Sequence, residues 1–118
     1  MSAPVQGMFD DLLEVPYVEG GRSPAGLDCW GCAVEVFRRY GMLLPSAPRY
    51  EGWEELETTH SMSPPVLVAM RLASEDVNHV GVFIGDGRLI HTTRDKGVTI
   101  SPLRSWRQQI DAFYRFRG

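Results

Sequence analysis

The tripeptide Gly85-Asp86-Gly87, set between the apolar runs NHVGVFI (78–84) and RLIHTT (88–93), narrows the possible folds more than any other stretch. Two glycines around an aspartate, flanked by β-branched and aromatic residues, specify an antiparallel hairpin. That hairpin carries two of the chain's three histidines, His79 and His91. Whether they share a face is a question of parity. A two-residue turn at Asp86-Gly87 pairs Ile84 with Leu89 and Val82 with His91, which sends the histidines to opposite faces. A three-residue loop pairs Ile84 with Arg88 and Gly81 with His91, which makes them diagonal neighbours on one face, roughly 7–8 Å apart at Cα. Glycine is the expected left-handed residue at the third loop position, and Gly81 leaves room opposite His91. The sequence admits both registers.

The chain's second half continues in the same grammar. VLVAMRL (66–72) is a nearly unbroken apolar run suited to a buried strand, and GVTIS (97–101) and DAFYRF (111–116) complete a set of about five. Pro102–Gln108 reads as a helical turn. Before Pro65 the periodicity is helical. Cys29, Cys32, Ala33, Val36, Phe37 and Tyr40 recur at i, i+3, i+4, i+7, i+8 and i+11, with Glu35, Arg38 and Arg39 opposite. This predicts a helix over 29–40, capped by Asp28 and closed by Gly41 in the left-handed C′ position. Residues 7–14 predict one or two helical turns with Met8, Leu12 and Leu13 inward. Residues 16–27 form a loop rich in glycine, proline and serine, and a short helix is expected at Trp53–Thr58, with Glu54, Glu55 and Glu57 on a solvated face. The expectation is one α+β domain over 1–118, its main helix packed on an antiparallel sheet.

The chemistry starts at Cys29. As the first helical residue it sits beside free amides and the positive end of the helix dipole, which favours the thiolate that attacks carbonyls. A thiol nucleophile needs a base, and the base needs a third group to hold its orientation. His79 and His91 are the candidates. A thiolate–imidazolium pair would give bell-shaped pH dependence and alkylation of Cys29 well below the free-thiol range of about 8.5.

The segments PY-x-x-GG (16–21), SPAGLDCWG (23–31) and NHVGVFIGDGRLIHTT (78–93) together resemble the NlpC family of papain-like cell-wall cysteine peptidases. The resemblance spans about Pro16 to Pro102. It implies a papain-like fold, Cys29 as nucleophile, His79 as base and His91 as its orienting partner. It also implies that Tyr17 lines the site and assists the oxyanion, and that Asp28 meets the substrate's amine end. The implied substrate is a peptidoglycan stem peptide, with no cofactor and no metal. Trp30, in Asp-Cys-Trp-Gly after Gly-Arg-x-Pro, is similar to the version in phage tail-tip and gene-transfer-agent proteins, which implies tail or baseplate partners and action at the bacterial wall. Two positions depart from the family pattern: Pro64-Pro65-Val66 stands where Gly-Asp is common, and Cys32 where leucine is usual.

Composition excludes other classes. A formal charge of −3 gives no electrostatic footprint for nucleic acid, and the arginines at 104, 107, 115 and 117 are spread among aromatics. No apolar run approaches the ~18 residues of a membrane span. The opening MSAPVQGMFDDLLE lacks the basic and apolar regions of a signal peptide, so synthesis in the cytoplasm is expected. Other readings of the same residues are a structural tail module, an amidase or acyltransferase with the same triad, a Cys₂His₂ zinc site built from Cys29, Cys32, His79 and His91, and a thioredoxin-like CxxC. Cys32, one turn into the apolar face, is expected in the core, and His60 on the surface.

Overall fold

The computed structural model describes residues 7–57 and 62–118. One α-helix, α1 (Cys29–Arg39), packs on a six-stranded antiparallel sheet. The strands, numbered in chain order after a two-residue pair, β1 (Arg22–Ser23) and β2 (Gly26–Leu27), are β3 (Trp53–Leu56), β4 (Val66–Met70), β5 (His79–Phe83), β6 (Arg88–Thr93), β7 (Gly97–Pro102) and β8 (Ile110–Phe116). Their order across the sheet is β3-β8-β4-β5-β6-β7.

Helix α1 starts and stops where its sequence says it should. The Asp28 carboxylate accepts the Gly31 N–H at 2.7 Å, and Gly41 takes φ +83° after the last turn. Trp30, Cys32, Ala33, Val36 and Phe37 are buried, in a core shared with Leu67, Val82, Ile84, Ile90 and Val98 from the sheet.

The sheet is covered on its other face as well. Val66, Val68, Met70, Phe83, Leu89 and Phe113 form a second core, on which a 3₁₀ segment, Leu103–Gln109, is laid. Strand β4 is central and buried at every position, which accounts for its continuous apolar run.

Two-sided coverage explains a correction. Trp53–Leu56 is a strand and not the expected helix; it pairs with β8 in the register Trp53↔Phe116 to Leu56↔Phe113. In a helix Trp53 and Leu56 would share a face. Here Trp53 joins the helix-side core, edge-on to Phe37 and tilted against Phe116, while Leu56 joins the other. Thr58 and His60 lie outside the described residues. A second correction concerns residues 7–14, where a 3₁₀ turn (Asp10–Leu12) buries Phe9 and Leu12 and leaves Leu13 exposed. The 3₁₀ period of three selects Phe9 and Leu12.

The hairpin takes the three-residue loop. Val82 pairs with Ile90 and Phe83 with Leu89, and the Ile84 N–H donates to the Arg88 carbonyl at 3.0 Å. Gly85, Asp86 and Gly87 all have positive φ. The register puts Gly81 opposite His91, where an added Cβ would meet Leu89 Cδ1 at 2.8 Å and His91 Cβ at 3.1 Å. His79 and His91 therefore share a face.

Candidate active site

The loop before α1 is built by backbone contact. A Cβ on Gly31 would lie 2.2 Å from the Gly21 carbonyl oxygen, and one on Gly21 would lie 2.4 Å from that of Gly26. Only glycine permits those approaches. Asp28 ties the loop to the helix: Oδ1 accepts from Gly31 N–H and, at 2.6 Å, from Arg22 Nη1, while Oδ2 accepts from Gly20 N–H at 3.1 Å. Both oxygens of Asp28 are thus bonded to protein groups. Trp30 is buried and donates its indole N–H to the Pro45 carbonyl at 2.9 Å.

This scaffold delivers Cys29 to the start of β5. Its thiol is half-buried, in the neighbourhood of the backbone amides of Val80, Trp30 and Cys29 itself. Val80 is the chain neighbour of His79. Burial pushes the Cys29 thiol above its ordinary range, and the three amides oppose that shift without overcoming it. The expected depression at a helix start is therefore outweighed by desolvation.

The two imidazoles meet. His79 Nε2 lies 2.9 Å from His91 Nδ1, with ring centroids 5.1 Å apart. Both residues are buried, His91 to 1% exposure. Burial lowers each from the ordinary 6.5 to about 4, with the charge of His79 a further contributor at His91. With Nε2 committed to His91, Nδ1 is the His79 nitrogen left for another partner. If His79 donates from Nε2, then His91 carries its own proton on Nε2 and His79 Nδ1 is an open acceptor. That tautomer is assigned from the hydrogen-bond pattern.

Tyr17 bridges to Leu27 and lies near the thiol. Its phenol is pushed up, chiefly by burial, next by the bond to Glu19, and least by the charge of Cys29. Tyr17 Oη donates to Glu19 Oε1 at 3.0 Å, and the Arg94 guanidinium sits 4.7 Å above its ring. Cys32 is 1% exposed in the helix-side core, its thiol pushed up to about 12 by burial. The histidines alternate with Val80 and Ile90 of that core and so face the other side. Among the described residues no three His, Cys, Asp or Glu side chains converge as a metal-binding group. This geometry separates Cys32 from the histidines.

One residue in this neighbourhood is missed by sequence reasoning. The Trp106 ring stands edge-on to His91, centroids 4.8 Å apart at 80°, and its Nε1 donates to Ser101 Oγ at 2.9 Å. No spacing rule links position 106 to position 91.

A thiol at a helix start, beside a strand whose histidine is paired with a second histidine on an antiparallel sheet, is the papain-like arrangement. The NlpC/P60 family matches residues 14–115, and the chain belongs to that family. It is 32% identical over 119 residues to the gamma-DL-glutamyl hydrolase of Bacillus subtilis, a match covering 96% of this chain and 29% of that protein. It is 30% identical over 98 residues to the gamma-D-glutamyl-L-lysine dipeptidyl-peptidase of Bacillus cereus, covering 80% of this chain and 29% of the relative. The chain thus spans under a third of each of these two relatives. Among solved structures, a Bacillus cereus NlpC/P60 family protein superposes with a TM-score of 0.73 at 24% identity, over 98% of this chain and 42% of the other. The NlpC/p60 domain of the peptidoglycan hydrolase SagA gives 0.70 at 18% identity, over 92% and 93%. These structural likenesses establish the fold.

Proposed function

We propose that this chain is a cysteine peptidase that hydrolyses an amide bond in peptidoglycan stem peptides, with Cys29 as nucleophile, His79 as base and His91 as the group that orients it. The observation that carries the reading is the 2.9 Å contact between His79 Nε2 and His91 Nδ1, next to the strand position that Cys29 approaches. Family membership supports the substrate class, as do the names of a murein DD-endopeptidase among the relatives and of the peptidoglycan hydrolase SagA among the structural neighbours.

The reaction runs from neutral partners. His79 Nδ1 takes the thiol proton as Cys29 Sγ attacks the carbonyl, and the imidazolium is held by its bond to His91. The oxyanion forms at the helix start, where the Cys29 amide precedes the helix's own hydrogen bonding, with Tyr17 as a second donor once its hydroxyl leaves Glu19. One such donor is commonly worth ~10²–10³ in rate. His79 then protonates the leaving amine. Water, deprotonated by the same imidazole, attacks the thioester, releases the acid and restores the thiol. Asp28 holds the loop beside the thiol, and its Oδ2, which accepts one N–H, from Gly20, keeps a lone pair for the substrate's amine end.

We further propose that the enzyme acts at the bacterial wall as part of a phage or phage-like tail, with tail-tip or baseplate partners. Support for this is the Asp-Cys-Trp-Gly motif after Gly-Arg-Ser-Pro. Recovery of the protein in purified tails is the expected result, and its absence from particles made in the same cells would exclude that setting.

Digestion of purified peptidoglycan followed by mass spectrometry of the fragments tests the activity. Wild-type protein is expected to release stem-peptide fragments and Cys29→Ala none. Equal digestion by both would overturn the assignment, and no digestion by either folded protein would favour a structural tail module.

A further inference from the structure

Strand β7 ends at Pro102, and the chain then turns back over the histidine-bearing face of the sheet as the 3₁₀ segment Leu103–Gln109. Its exposure pattern has a period of three. Leu103, Trp106 and Gln109 are half-buried, while Arg104, Ser105, Arg107 and Gln108 are exposed. That is the single face a 3₁₀ helix presents. The segment is pinned at its start by the Leu103 N–H donating to the Gly87 carbonyl at 2.8 Å, inside the hairpin loop. The centre of its inward face is Trp106, whose indole N–H is satisfied by Ser101 Oγ on β7. A buried or half-buried indole so bonded has one orientation.

That orientation places the ring edge-on to His91, at 80° between planes. His91 is itself almost fully buried and joined to His79. Its neighbours are His79 on β5, Thr99 opposite it on β7, and Trp106 on the 3₁₀ segment. Among the described residues, the charge that bears on His91 is that of His79.

Resting on the peptidase reading, we propose that Trp106 is a positioning residue, a ring that closes the solvent side of His91 and keeps the His79–His91 hydrogen bond dry and in one tautomer. A water admitted beside His91 would compete for Nδ1 and let the His79 ring rotate away from the thiol. A dry pair also keeps both imidazoles neutral, the form in which His79 accepts a proton.

The test compares Trp106→Ala and Trp106→Phe with wild type in two measurements. The first needs no activity: NMR titration of the His79 and His91 ring protons. Wild type and Trp106→Phe are expected to titrate near the buried value, and Trp106→Ala with its midpoint moved up toward 6.5 by about one unit or more. The second is the pH profile of stem-peptide cleavage. Trp106→Ala is expected to lower kcat on the order of tenfold, a fraction of the 10²–10⁴ a general base supplies, with KM unchanged and the acid limb raised in step. Trp106→Phe should restore most of kcat. Histidine titrations unchanged in a folded Trp106→Ala would overturn the proposal, as would a fall in melting temperature with kcat and acid limb as in wild type. An inactive wild type, by contrast, would count against the peptidase reading while leaving the NMR result to decide the role of Trp106.

Discussion

At Cys29 two influences oppose each other. Burial disfavours the thiolate, backbone amides of Val80 on β5 and of Trp30 and Cys29 at the helix start favour it, and burial prevails. His79 is displaced in the complementary direction, to about 4, by burial. In the proposed mechanism the resting pair is therefore a neutral thiol and a neutral imidazole, and the proton moves only as the carbonyl is attacked. This differs from the ion pair that a helix-start cysteine suggests. The expected consequence is that iodoacetamide modifies Cys29 slowly at pH 5–6 and faster only as pH climbs past the range of an ordinary thiol. An acid plateau in the alkylation rate would show a thiolate–imidazolium pair instead. Activity should have an acid limb near 4, because His79 becomes unable to accept a proton only below that value.

The element that sets the site is the β5–β6 hairpin. Its three-residue loop fixes parity, parity puts both histidines on one face, and Gly81 clears the space between them. Gly81→Ala forces a methyl to within 2.8 Å of Leu89 Cδ1 and 3.1 Å of His91 Cβ. It is expected to cost about 1–3 kcal/mol, the usual scale for overpacking, and to reduce cleavage more than the stability loss explains, because His91 must shift. Denaturant unfolding and kinetics on the same sample check both. A variant with wild-type kcat would show that His91 needs no such clearance. The hairpin was legible in the sequence because its signals, turn residues and alternation, are local; its loop length, and with it the face of each histidine, is fixed only by the register of the folded sheet. Helix α1 was legible for the same reason, from cap to left-handed glycine. Strand β3 was not, because Trp-Glu-Glu-Leu is too short to show a period, and only a sheet with cores on both faces gives Trp53 and Leu56 separate destinations. Trp106 was illegible because its contact with His91 depends on how the 3₁₀ segment folds back.

For the molecule as a whole, the buried imidazoles are a liability in acid. Each binds its proton near 6.5 when unfolded and near 4 when folded, so between those values the unfolded state holds more protons. Stability is complete above about 6.5 and is lost progressively as pH falls toward 4. The ion pair of Asp11 with Arg39 acts elsewhere: Asp11 is lowered to about 2, chiefly by its bond to Arg39, and its share is lost only on further acidification. The melting temperature should therefore fall between pH 6.5 and 4, and His91→Asn should flatten that slope. An unchanged slope in the variant would mean that the loss comes from groups other than this pair.

The most direct test of the thiol mechanism is to trap its intermediate. Wild-type protein is mixed with a stem-peptide substrate, quenched in acid within one turnover, digested, and searched for an acyl group by mass. The account predicts a thioester on the peptide that contains Cys29, removed by neutral hydroxylamine and missing from Cys29→Ala. Complete cleavage with no acyl group on Cys29, together with continued cleavage by Cys29→Ala, would contradict it.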